Sequence, residues 1–534
     1  MKTRNFLWGL LACAAFSACS SDEVDSGTKE FKDKAYMRVQ IAMAGNPSSR
    51  GTGGEYEYGT SNEQKINDIT FFFYDSSNKF VTKGEAINNT NVTQNGTDEE
   101  YWEAETAPII SLKLDESQPF PTQVVAYVNI GTSNVNFGEE SSRTLDSDGL
   151  KVAQSATLNP DAFVMTSSTY LDGSNVVCST PVYPKNFHET EQAAKDDTEL
   201  VTIYVERLPA KVIVNQAAVD IDDIEDASGN LLRFSVTGFV LNGLNTDSYL
   251  QKQVDNTWSF TSWSGAWNVK DEFRCFWAKD MNYDVSSSAP SLDFVSYGEI
   301  STPTADAKYC YENTLALPLT EDTNKNLFAN ATHVLLFGEY QMKKAGESDF
   351  EELTESFYMY AGTAYLGNDL KTLWADAVTD VYVKGEGDTY SKADESKYNL
   401  VSDGSVDGVT LALMEGDYYK KTGESTYESW DISEKNNSLK EIYKATGYLN
   451  AVGYFPILIE HFGIGTDADN YETTELGVVR NHIYNIEIQS IKSLAEGVFN
   501  PDIPIIPDSS VKTYYLASKL RILSWKTVSQ SVEL

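Results

Sequence analysis

In Ala35–Met43 the apolar residues Met37, Val39, Ile41 and Met43 alternate with Tyr36, Arg38, Gln40 and Ala42. A period of two with one apolar face marks a half-buried strand. Short β-branched and aromatic runs then recur at 69–74, 123–130, 201–206, 211–214, 232–240, 333–340, 356–365, 448–459 and 482–491. Gly, Asn, Asp and Ser separate them, as turns require. Helical candidates are few, and Asp369–Ala377 is one. The pattern predicts a mainly β chain built as two antiparallel β-sandwich domains of transthyretin or immunoglobulin type, not a βαβ layout. An acidic, turn-rich stretch near 220–230 puts the domains at about 51–220 and 221–500.

The two ends depart from that theme. Residues 1–18 read as an export signal, with Lys2 and Arg4 before the short apolar stretch Phe6–Phe16. Cys19 follows the small residues Ser17 and Ala18, as at a lipoprotein processing site; an ordinary secretory signal is the other reading. Residues 19–50 comprise a polar tether and the strand 35–43. It ends in Gly45–Gly54, a turn-forming loop that exposes Arg50–Gly51 to a trypsin-like protease. At the other end, the Pro-containing 501–512 reads as a stiff, extended linker. Beyond it lie two strand-like runs in 513–534. Leu516, Ser518, Leu520 and Ile522 share one face of the first run, and Val528, Gln530, Val532 and Leu534 share one face of the second. These runs either lack a home sheet in their own chain or complete the second sandwich.

Composition narrows the function. The chain has 534 residues and, with 79 acidic against 41 basic, a net charge of -38. Such a charge repels phosphate backbones, which argues against nucleic-acid partners. Four His leave little material for general-base or zinc chemistry. No His-Glu-x-x-His, phosphate-cradling Gly-rich loop or Gly-x-Ser-x-Gly elbow is present. No cofactor, metal site or catalytic residue is therefore expected. Asp467–Tyr471 begins like a calcium loop but lacks its later ligands. Asp146–Gly149 reads as a turn. Trp258, Trp263, Trp267 and Trp277 could stack on sugars or simply pack, so a surface glycan-binding lipoprotein is the alternative of a different class. Once Cys13 and Cys19 are set aside, Cys178, Cys275 and Cys310 remain. The last two could pair, although buried free thiols are the better fit.

Several blocks, taken in order, carry a resemblance. They are the lipoprotein signal, the strand and loop Arg, Lys65–Thr70, Val164–Ser167, Val201–Lys211 and Val479–Ile486. The Pro-containing linker, Lys512–Tyr515 and Ser524–Trp525 follow. The chain resembles the fimbrilins of Bacteroidetes, in particular the shaft subunit of the short fimbriae, a type V pilus. The resemblance implies a lipid-anchored precursor at the outer membrane, tagged by Ser20–Glu23 for the outer face. It then implies that 19–50 is a propeptide, cleaved at Arg50–Gly51 by an Arg-specific protease with loss of the 35–43 strand. The C-terminal strands of another copy, 513–534, enter the emptied groove. Leu516, Leu520, Ile522, Trp525, Val528, Val532 and Leu534 are the donor side chains on this reading. Partners are other copies in a head-to-tail extracellular filament and accessory or anchor subunits, supporting adhesion and biofilm formation. His482 falls at a strand start, as a packing residue.

Overall fold

The structure, a computed structural model, describes residues 34–43, 56–57, 59–86, 102–103, 108–114, 118–132, 135–154, 158–172, 175–215, 220–221, 223–254, 278–281, 292–300, 303–314, 327–459, 477–507 and 525–533. It is mainly β, as the alternating runs predict.

The first sheet has nine strands. Seven carry the argument: β1 (Ala35–Met43), β2 (Ile69–Tyr74), β3 (Phe80–Ala86), β4 (Ile109–Leu112), β5 (Gln123–Val128), β6 (Met165–Ser167) and β7 (Val201–Arg207). Their order is β5-β2-β3-β4-β1-β7-β6, and β6 pairs back onto β5 through Tyr127↔Thr166 and Val128↔Met165. The seven strands thus close a ring. Ile69, Phe71 and Phe73 of β2 and Val124, Ala126 and Val128 of β5 lie in one buried cluster with Met37, Val39, Ile41, Ile203 and Val205. The alternate residues Phe72, Tyr74, Val125 and Tyr127 form a second cluster on the other face, with Leu145, Leu208 and Leu250.

The middle sheet combines β8 (Ala210–Asn215), β9 (Lys308–Cys310), β10 (His482–Ile491) and β11 (Trp525–Glu533) in the order β9-β8-β10-β11, with Tyr56–Glu57 at its edge. One face presents Ile213, Tyr309 and Ile483 to the core of the first sheet. The other presents Val212, Val214, Tyr484, Ile486 and Ile488 to a core shared with a third sheet through Phe234, Val334, Leu336 and Phe455. That third sheet is built on Leu231–Asn242, His333–Lys343 and Val452–Leu458. Two further sheets, within residues 357–448, pack with the helices Asp369–Ala377 and Ile432–Ile442 around Trp374, Leu411 and Leu439. The predicted helix therefore forms over the predicted residues. The second was not foreseen; Asp431 caps it by accepting from the amides of Ser433 and Glu434.

One expectation is corrected, and two C-terminal segments are placed. The sheets are mixed rather than antiparallel: β1 runs parallel to β7, and β10 runs parallel to both β8 and β11. Each parallel pair joins strands far apart in the chain, because a parallel partner cannot be reached by a tight turn. The second C-terminal run does have a home sheet, since β11 lies along β10 from Lys526↔His482 to Glu533↔Ser490. The first part of the Pro-rich linker is docked. Ile505 is fully buried with Leu335, Phe337 and Tyr454, and its amide donates to the Val295 carbonyl at 2.9 Å.

Candidate strand-exchange site

β1 is an interior stave of the ring. Its first half pairs antiparallel with β4, from Ala35↔Leu112 to Arg38↔Ile109. Its second half pairs parallel with β7, from Val39↔Val201 to Met43↔Val205, and Ala42 and Met43 also meet Glu103 and Trp102. Ala35, Met37 and Val39 are fully buried, and Ile41 is 3% exposed. The predicted apolar face is thus the buried face; the Met43 side chain lies outside the described residues. Burial of Met37, Val39 and Ile41 is worth about 1.5–3 kcal/mol each before ordering costs. Removal of β1 would leave β4 and β7 with unpaired backbone groups flanking an apolar slot, the condition that invites strand addition.

Arg50 and Gly51 lie outside the described residues, but the chain on either side is fixed. Upstream, Arg38 is part of β1, and its guanidinium donates to the Lys195 and Asp197 carbonyls at 3.1 and 3.0 Å. A protease needs an accessible, unpaired segment, so Arg38 is a poor target in the folded chain. Downstream, the fully buried Glu63 receives the Lys211 ammonium at 2.7 Å on Oε1 and the Thr60 amide at 2.7 Å on Oε2. The Tyr309 hydroxyl also donates to Oε1. Arg207 donates from Nε to the Glu63 carbonyl at 3.0 Å and from a terminal nitrogen to Asn481 Oδ1 at 3.3 Å. Burial alone would raise the Glu63 pKa; the bonds from Lys211, Tyr309 and Thr60 outweigh it and hold the carboxyl below its ordinary value. Burial brings Arg207 down to about 10, still charged at neutral pH.

At the other end, Tyr56↔Lys526 and Glu57↔Trp525 pair antiparallel, so the chain just past Gly51 covers the free edge of β11. Val528 stands opposite Tyr484 and Val532 opposite Ile488 in that strand. The side chains of Trp525, Val528 and Val532 are outside the described residues, as are Cys19, Leu516, Leu520, Ile522 and Leu534 entirely. So too are Cys275, the loop 467–471 and the cluster Trp258, Trp263, Trp267 and Trp277.

Sequence reasoning missed two buried ion pairs. Lys252 and Glu206 pair at 3.0 Å with both side chains essentially inaccessible. Arg480 pairs with Glu312 at 2.9 Å and donates to the carbonyls of Leu250 and Tyr249. No local signal marks partners so far apart in sequence. Asp148, read as part of a turn, closes a short capped helix and accepts from Arg143 and the Tyr74 hydroxyl. His482 is fully buried at the start of β10, as the block in which it sits led us to expect. Among the described residues, no group of three or more His, Cys, Asp or Glu side chains could hold a metal ion. Cys178 and Cys310 are free thiols, and burial pushes both up to about 12.

Comparison with known proteins bears on this arrangement. The family described as "Major fimbrial subunit protein (FimA)" matches residues 35–197, from β1 to the chain before β7. The family described as "Major fimbrial subunit protein type IV, Fimbrillin, C-terminal" matches residues 446–531, which include β10 and most of β11. Both matches support a fimbrillin family member. Among solved structures, a fimbrial assembly protein from Parabacteroides distasonis is 13% identical with a TM-score of 0.25, covering 74% of this chain and 98% of its own. A cell adhesion protein from Bacteroides eggerthii is 11% identical with a TM-score of 0.28, covering 93% and 97%. The fimbrial anchor protein Mfa2 from Porphyromonas gingivalis is 9% identical with a TM-score of 0.20, covering 71% and 97%. Likeness at this level carries no argument about architecture or role. No curated protein matches the chain.

Proposed function

We propose that this chain is a non-enzymatic shaft subunit of a cell-surface fimbria, polymerised by strand exchange after cleavage at Arg50–Gly51. The precursor is lipidated on Cys19 and held at the outer membrane. After the cut, β1 leaves the ring, and the segment 513–534 of another copy enters between β4 and β7. The observation that carries this reading is the place of β1: an apolar strand inside a closed ring, joined to the rest of the chain only through the segment that contains Arg50.

Two features support the reading. Glu63 anchors the chain downstream of the cut, so cleavage separates β1 from a body that stays folded. Tyr56–Glu57 lies on the edge of β11, so the uncut segment both fills the acceptor slot and covers an edge of the donor. Loss of residues 1–50, with 7 basic and 5 acidic residues, takes the net charge from -38 to -40. Subunits therefore repel at long range, and association rests on apolar burial and ladder hydrogen bonds. Donor end meets acceptor end, a heterologous contact that builds an open filament.

Protein sheared from its own cell surface tests the proposal. A start at Gly51 in filaments seen by electron microscopy is the expected result. A lipid-blocked start at Cys19 on a monomer would overturn it. Deletion of 513–534 is expected to abolish filaments, and normal filaments from that variant would contradict donor exchange.

A further inference from the structure

Cleavage at Arg50 breaks none of the contacts that hold β1. The strand keeps its pairing to β4 and β7 and its buried Met37, Val39 and Ile41. It also keeps a third set of contacts, from residues 188–197. The Tyr36 amide donates to the His188 carbonyl at 2.8 Å, and the His188 amide donates back to the Tyr36 carbonyl at 2.8 Å. Arg38 reaches over the short helix Glu191–Asp196 to the carbonyls of Lys195 and Asp197. The segment is closed on itself: His188 Nε2 lies 2.9 Å from Asp197 Oδ2, and Asp197 Oδ1 accepts from the Glu199 amide at 2.8 Å. Phe187 roots it in the core against Phe73 and Phe120.

This set of contacts completes the pairing of β1. β7 covers one edge only from Val39 onward. Before that point, the same edge is met by His188, on the stretch of chain that leads into β7. We propose that residues 188–197 are a latch that retains β1 in the cleaved chain, with Arg38 as its bolt, so that strand release is a step separate from proteolysis. This inference rests on the reading that β1 is the strand that leaves. Arg38 suits the role because one nitrogen of its always-charged guanidinium reaches two carbonyl acceptors at once. Hydrogen bonds to charged groups are also the stronger ones. The bolt belongs to the departing strand, so its contacts disappear with β1 and leave the groove's own pairing edge on β7 untouched.

The full chain without its lipid, cut at Arg50 and diluted to remain monomeric, provides the test. Native mass spectrometry would follow the fragment ending at Arg50 as it leaves the body. Arg38→Gln alters only the departing strand, so the fold of the remaining body does not enter the comparison. Release about tenfold faster for Arg38→Gln is expected, from loss of roughly 1.4 kcal/mol or more of charge-assisted bonding. Arg38→Lys should fall between the two, and Lys34→Gln, an exposed site just before β1 that loses the same charge, should release like the parent. A second variant, Asp197→Ala, opens the latch from the other side and should also speed release. Equal release rates for the parent, Arg38→Gln and Asp197→Ala would overturn the latch. If those rates are equal while the cleaved parent still forms filaments, strand exchange stands and only the latch fails. If Arg38→Gln releases faster but no filaments form, the latch stands and the filament reading fails.

Discussion

The Lys211 ammonium lies 2.7 Å from Glu63 Oε1, with the glutamate side chain wholly buried and the lysine side chain 10% exposed. This pair joins the chain just beyond the Arg50–Gly51 bond to the first strand of the middle sheet, in contact with Tyr309 and near Arg207. On the proposed reading, it marks the point where the removable segment ends and the permanent body begins.

Removing one partner of that pair should therefore be costly. Lys211→Met leaves a buried carboxylate without its counter-charge, and a loss of about 3–5 kcal/mol is expected in urea unfolding of the uncut monomer. Glu63→Gln combined with Lys211→Met should recover much of that loss, because no isolated charge remains. If the double variant is no more stable than Lys211→Met alone, the pair is not the source of the effect.

Met37 and Ile41 fill the ring only while β1 is present. Met37→Ala or Ile41→Ala should lower the stability of the uncut monomer by about 2–5 kcal/mol. The same substitutions should leave the thermal stability of assembled filaments unchanged if the processed subunit lacks that strand, as proposed. A filament weakened by Met37→Ala would show that β1 remains in place after assembly.

His333 offers a pH-dependent check on the docked Pro-rich segment. Its Nδ1 lies 2.8 Å from the Ala331 carbonyl and its Nε2 lies 3.2 Å from Asn242 Nδ2, which also donates to the Ile505 carbonyl. With Nε2 accepting, Nδ1 carries the proton of a neutral ring. Burial lowers the pKa from 6.5 to about 4. Between those values the unfolded chain binds more protons than the folded one, so stability falls as the solution is acidified from 6.5 toward 4. The contribution is complete above 6.5 and amounts to about 3 kcal/mol. Comparing unfolding of the parent and His333→Gln at pH 7.5 and 4.5 isolates it: the parent should lose more stability on acidification. Equal losses would refute this account.

Much of β1 was legible because its apolar residues alternate without interruption, and burial of Met37, Val39 and Ile41 follows from that alone. Its partners were not legible, since pairing with Val201–Val205 depends on chain closure over a long separation that no local pattern records. The same holds for Arg207 with Glu63 and Arg480 with Glu312, where each residue alone reads as an ordinary surface charge. Pro501–Pro507 carries the chemistry of a linker, yet Ile505 finds a pocket beside Phe337, so tertiary packing overrides the local signal. The helix Ile432–Ile442 was hidden by its sparse apolar face, in which Leu439 is the only fully buried apolar side chain.

The central claim is that β1 must leave before subunits can join, and a reversible lock tests it most directly. Val39 and Val201 are opposite one another in the β1–β7 ladder, within the reach of a disulfide between adjacent strands. The chain carrying Val39→Cys and Val201→Cys would be oxidised, cut at Arg50 and examined for filaments by electron microscopy. The single variants Val39→Cys and Val201→Cys, treated alike, control for bonds to the native cysteines. The account predicts monomers while the disulfide is intact and filaments once it is reduced. Filaments from the oxidised, fully cut protein would contradict it.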